Sequence, residues 1–102
     1  MATSKEYFEF IKDQVRDLSE VSFRPMMGEY ILYYAGKVVG GLYDDRLLVK
    51  ATKGARESLP SSSLVFPYEG GKEMLLVEDV EDRELLKKLF ERVASDLLAK
   101  KK

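Results

Sequence analysis

Between residues 29 and 51 the chain alternates three short runs rich in aromatic, aliphatic and β-branched residues with two loops of three residues each. The runs are 29–34, 38–43 and 47–51, and the loops are Ala35-Gly36-Lys37 and Asp44-Asp45-Arg46. A parallel connection needs a crossover of about a dozen residues, so loops this short force consecutive strands to pair antiparallel. Glycine and aspartate suit such turns because both tolerate the left-handed backbone that tight hairpins require. A meander is therefore the nucleus of whatever fold this chain adopts.

Amphipathic helices flank the meander. Tyr7, Phe8, Ile11, Val15 and Leu18 recur at spacings of three and four, with charged residues opposite them, which predicts a helix over residues 4–18 capped by Thr3 or Ser4. At the other end Leu85, Leu86, Leu89, Phe90, Val93, Ala94, Leu97 and Leu98 form a wide apolar stripe. Asp79 or Asp82 can cap that helix, and residues 99–102 read as a tail. Between meander and final helix, residues 52–59 predict a short helix ended by Pro60. Residues 64–66 predict a brief edge strand beside Pro67, Glu69-Gly70-Gly71-Lys72 a turn, and residues 72–77 a further strand. The predicted order is α-β-β-β-α-β-β-α, a two-layer α+β fold in which helices pack an antiparallel sheet. At 102 residues, with no linker or repeat, residues 1–102 form one domain.

Composition removes most chemistry. The chain has no cysteine and no histidine, which excludes disulfides, thiolate sites, a cysteine nucleophile and imidazole as base or metal ligand. Seventeen basic and eighteen acidic residues give a net charge of -1, without the broad positive field that non-specific DNA binding uses. No apolar run approaches the ~20 residues of a membrane span, and the first residues lack the basic-then-apolar pattern of a secretory signal. The expectation is a cytoplasmic protein with no catalytic residues, no cofactor and no metal.

Three patterns invite a ligand and have simpler explanations. Glu78, Asp79, Glu81, Asp82 and Glu84 could hold a hard cation, but their spacing is not that of an EF-hand loop and they suit the start of a helix. Seven glycines form neither G-x-G-x-x-G nor a phosphate-binding loop, and Ser58 and Ser61-Ser62-Ser63 have no base at a telling spacing. Gly40 and Gly41 interrupt a strand, which predicts a bulge or close approach of another element in preference to a ligand groove. The aromatic content is more suggestive. Tyr30, Tyr33, Tyr34 and Tyr43 fall on adjacent strands, where exposed rings can stack bases or anchor a protein interface. Lys37, Arg46 and Lys50 are balanced there by Glu29, Asp44 and Asp45, which favours the protein interface.

The stretch Arg24-Pro25-Met26-Met27-Gly28-Glu29-Tyr30-Ile31, then Gly36-Lys37, then Asp44-Asp45-Arg46-Leu47-Leu48-Val49-Lys50, resembles the N-terminal domain of the TfoX/Sxy family. Arg24, Met26, Gly28, Gly36, Asp45, Leu47 and Lys50 occupy the family's places, while Met27 and Glu29 stand where phenylalanine and glycine are more usual. The resemblance is concentrated in residues 22–50. It implies an α+β fold like that of the secretion-chaperone group. Full-length members regulate natural competence genes with the cyclic-AMP receptor protein and carry a second, C-terminal domain, so this chain reads as a stand-alone N-terminal domain.

Together these features lead to the expectation of a small non-enzymatic bacterial regulator that binds a protein partner, with the transcription machinery as the partner class the resemblance implies. The alternative is a nucleic-acid-binding domain using the aromatic sheet face. The expected interaction surface runs through Arg24, Glu29, Tyr43 and Lys50. Homodimerisation through the two-sided apolar strand at residues 30–34 or through the last helix is a further expectation.

Overall fold

Three two-residue turns organise the first half of the chain. In the computed structural model, which describes residues 3–68 and 70–100, Met27-Gly28, Ala35-Gly36 and Asp44-Asp45 all have positive φ at both central positions. That is the backbone of a type I′ turn, whose twist matches the flanking strands. The third turn is closed by reciprocal backbone hydrogen bonds between Tyr43 and Arg46, at 2.9 and 3.0 Å. The three turns join four strands, β1 (Val21–Met26), β2 (Glu29–Tyr34), β3 (Lys37–Leu42) and β4 (Leu47–Lys50).

After β4 come α2 (Lys53–Ser58), β5 (Leu64–Val65), β6 (Met74–Val77) and α3 (Arg83–Lys100), while α1 (Lys5–Gln14) precedes β1. The strands make one antiparallel sheet in the order β1-β2-β3-β4-β6-β5. The α+β class agrees with the sequence reading, and the order gains one strand, becoming α-β-β-β-β-α-β-β-α. The strand missing from that reading is β1. Pro25 and the exposed Ser22 and Arg24 weaken its strand character, yet Val21 and Phe23 alternate with them at the period of a half-covered strand. As an edge strand it tolerates a proline, which has no amide to donate.

Helix ends follow their local chemistry. The Ser4 hydroxyl accepts from the Tyr7 amide at 3.1 Å and caps α1, and Asp82 accepts from the Leu85 amide at 3.0 Å at the start of α3. Helix α1 stops at Gln14, short of the expected residue 18, where a turn lets the Leu18 amide bond the Val15 carbonyl. Helix α3 continues to Lys100, past the expected tail boundary at residue 99, and Lys101 and Lys102 lie outside the described residues. Glu69, in the expected turn before β6, also lies outside them.

All three helices bury their apolar sides against one face of the sheet. Ile11 and Val15 from α1, Ala55 from α2, and Leu86, Leu89, Phe90 and Val93 from α3 join Leu32, Leu42, Leu47, Val49, Leu75 and Val77 in a single cluster. Phe8 stacks on Tyr30 at 3.9 Å between ring centroids, 4° from parallel, and meets Phe23 edge-on at 5.3 Å. Tyr34 lies 6.5 Å from Phe90 on the same inner side. Helix α2 packs closely on α3 at Gly54, whose amide donates to the Asp96 carboxylate at 2.6 Å. The sheet's outer face carries no helix, and the chain around Pro67 and Tyr68 folds back over part of it.

Candidate functional site

The outer face is built by the register of the strands. Residues paired across an antiparallel sheet share a face, so the row Arg24, Ile31, Gly41, Leu48, Leu76 points away from the helices. Tyr33 joins this face through its pairing with Ser22, as does Lys50 through its pairing with Met74. Ile31, Tyr33, Met74 and Leu76 are all half-buried, so the face offers a partly covered apolar centre. The four tyrosines expected on one aromatic surface are divided by this alternation. Tyr30 and Tyr34 point inward to Phe8 and Phe90, and Tyr33 and Tyr43 lie outside.

Gly40 and Gly41 have separate structural reasons. Leu32 pairs with Gly40 and Tyr33 with Val38, leaving Val39 as the extra residue of a bulge. At that bulge β4 passes so close that a Cβ on Gly40 would lie 2.1 Å from the Leu48 carbonyl oxygen and 2.9 Å from Val49 Cα. A Cβ on Gly41 would meet the Tyr43 ring at 2.7 Å. It would also lie 2.7 Å from the Tyr30 carbonyl oxygen, so the second glycine makes room for both the β2 backbone and the Tyr43 ring. Tyr68 follows over it, with ring centroids 6.0 Å apart at 59°.

The expected interaction residues do not form one exposed surface. Tyr43 is only 8% exposed, and burial, followed by the neighbouring Tyr68 and Glu29, pushes its hydroxyl pKa up. Glu29 is half-buried and works as a clamp: its Oε1 accepts from the Thr3 hydroxyl at 2.7 Å and from the Asp44 amide at 3.1 Å. The clamp is extended by the Ser4 amide, which donates to Asp45 at 2.7 Å, so the start of α1 is tied to the β3–β4 turn. Arg24 and Lys50 do share the outer face, but they sit on β1 and β4, three strand spacings apart and offset by two residues along the strand, about 16 Å in all. The sequence reading passed over Tyr68, which is 58% exposed, and Phe66, which is 57% exposed. Only their position on either side of Pro67, just ahead of the Gly70-Gly71 pair, hinted that they would stand out from the sheet.

Two concavities carry opposite charge. A groove of ≈ 820 Å³ opens where β4 leaves the sheet, lined by Tyr43, Lys50, Arg56, Tyr68, Lys72 and Glu73 among others. Gly40 borders the same groove, beside the close passage of β4. At the far end of β6, residues 78–82 form a smaller acidic hollow. Asp82 is occupied there as the cap of α3, and among the described residues no cluster of potential metal ligands is found. No helix of the described residues is long and apolar enough to cross a membrane.

These features define a class: a small α+β domain with three helices on one face of a six-stranded antiparallel sheet and, among the described residues, no helix on the other. The chain belongs to the TfoX N-terminal domain family, whose model matches residues 13–97. It is also similar to a protein of Spirochaeta aurantia described as an uncharacterized 12.7 kDa protein in the trpE 5' region. The two are 40% identical over 80 residues, which is 78% of this chain and 70% of the relative. No solved structure matches.

Proposed function

We propose that this protein is a small, non-enzymatic bacterial regulatory module that acts in the cytoplasm by binding a protein partner through the outer face of its sheet. The observation that carries the reading is the helix-free face where the half-buried Ile31 and Tyr33 of β2 lie between Arg24 on β1 and Lys50 on β4, two cations with no ion-pair partner among the described residues. An apolar centre with a charged rim is the general anatomy of a protein interface. Because both rim charges are positive and Glu29 is engaged by Thr3 and Asp44, the matching partner surface is apolar with an acidic margin. Membership of the TfoX N-terminal domain family supports the regulatory part of the reading and makes the transcription machinery the first partner class to test.

The test is a tagged pull-down from native bacterial lysate with and without nuclease, comparing the wild type with Tyr33→Glu. A transcription protein retained by the wild type through nuclease treatment and lost with Tyr33→Glu supports the proposal. Material lost wholly on nuclease treatment replaces it with nucleic-acid binding. Light scattering on the purified protein reads homodimerisation through this face, which Tyr33→Glu then abolishes.

A further inference from the structure

We propose that the groove at the exit of β4 binds a small molecule bearing a carboxylate or phosphate on a flat ring. The inference goes beyond the protein-binding reading and concerns a groove that shares Lys50 and Met74 with the edge of the outer face but not Ile31, Tyr33 or Arg24.

Three positive side chains from three parts of the chain converge on this groove. Lys50 ends β4, Arg56 lies one turn into α2, and Lys72 lies two residues before β6, whose Met74 pairs with Lys50. Among the described residues none of the three has an acidic partner within ion-pair distance. The ion pairs that form are Arg16–Asp13, Arg83–Asp13 and Arg92–Glu57, all elsewhere. Glu73 is the sole acid among the described lining residues, so their combined charge is positive in a chain whose net charge is -1. Arg56 is also held in place: its Nε donates to the Ala51 carbonyl at 3.3 Å, which leaves both terminal nitrogens of the guanidinium for an anion.

The ring requirement comes from the tyrosines. Tyr43 packs against Gly41 and lies 6.0 Å, centroid to centroid, from the ring of Tyr68, an exposed residue at the groove wall. A fixed aromatic beneath an exposed one offers an apolar surface on which a flat ring can lie while the cations take its charge. The groove's ≈ 820 Å³ falls within the ~300–1,000 Å³ of typical small-molecule sites.

Titration of isotope-labelled protein followed by amide NMR tests the proposal, with four probes: benzoate, phenyl phosphate, benzamide and inorganic phosphate. The expected result is saturable movement of the Lys50, Tyr68 and Gly71 amides with benzoate or phenyl phosphate, and at least tenfold weaker response to uncharged benzamide and to ringless phosphate. The tighter of the two aromatic anions identifies carboxylate or phosphate as the natural group. Lys50→Gln combined with Arg56→Gln weakens binding at least tenfold, and Tyr68→Ala also weakens it, whereas Lys87→Gln on α3 leaves it unchanged. Should the double variant lose its dispersed spectrum, Lys72→Gln supplies the same comparison from an exposed site. Movement confined to other regions, equal response to benzamide, or affinity unaffected by removing the groove's charges overturns the proposal. The pull-down turns on Tyr33, which does not line the groove, and Tyr68 and Lys72 are not on the proposed interface, so the two readings fail separately.

Discussion

Replacing Gly40 by alanine tests how the meander is held together. The added Cβ would sit 2.1 Å from the Leu48 carbonyl oxygen and 2.9 Å from Val49 Cα, both backbone atoms that no side-chain rotation can clear. An ordinary carbon-to-oxygen contact is about 3.3 Å, so β4 must retreat by roughly 1 Å. Strands β3 and β4 are joined through only three registered pairs, Gly40–Val49, Gly41–Leu48 and Leu42–Leu47, so that retreat stretches the ladder at its Gly40 end. A lost backbone hydrogen bond costs about 0.5–1.5 kcal/mol and overpacking a fitted interior about 1–3 kcal/mol. Removing a glycine returns a few tenths to about 1 kcal/mol through the unfolded chain. The expected net destabilisation is about 2 kcal/mol, a substantial part of the ~5–15 kcal/mol that stabilises a typical domain.

Urea unfolding followed by far-ultraviolet circular dichroism measures the loss, with Gly36→Ala as the comparison. Gly36 has φ +81° and open space around it, so alanine there meets only backbone strain of about 1 kcal/mol. If Gly40→Ala unfolds within about 0.5 kcal/mol of the wild type, or proves milder than Gly36→Ala, the close approach of β4 is not what requires glycine at position 40, and the reasoning fails.

Ala35 has φ +52° in the β2–β3 turn, where asparagine is better tolerated, so Ala35→Asn raises stability by about 0.5–1 kcal/mol in the same urea assay. Glu29→Ala removes the acceptor of the Thr3 hydroxyl and the Asp44 amide and lowers stability by about 1–3 kcal/mol; unchanged stability with lost partner binding would return Glu29 to the interaction surface. The Asp96 carboxyl is held below the usual range by its hydrogen bonds to Thr52 and the Gly54 amide. It therefore contributes stability above about pH 4 that is lost as pH falls through its depressed folded value, and Asp96→Asn flattens that part of an acid titration of the urea midpoint. The opposite sign holds for Tyr43, whose hydroxyl is pushed up mainly by burial. Its contribution is present below about pH 10 and lost as pH rises through the folded value, so Tyr43→Phe lessens the alkaline fall in stability.

The turns after β2 and β3, the two long helices and the antiparallel class were legible in the sequence because each is set by local rules, whereas the Met27-Gly28 turn was not read. Positive-φ residues close hairpins, apolar spacing of three and four marks a helix facing a core, and short loops forbid crossovers. Strand β1 was hidden because an edge strand needs little apolar content and can hold a proline, and its pairing with β2 compensates for both. The absence of histidine and cysteine likewise settled which chemistry the side chains cannot perform.

Tertiary structure decided which residues share a surface. Strand periodicity alone could place Tyr30 and Tyr33 on opposite faces, but only the packing of Phe8 and Phe90 made the Tyr30 face the inner one. The bulge at Val39 and the return of Tyr43 over Gly41 are likewise consequences of where β4 passes. The convergence of Lys50, Arg56 and Lys72 depends on three elements meeting at one end of the sheet. Local backbone preference acts between residues a few positions apart, and it carries no information about which distant side chains the folded core will bring together.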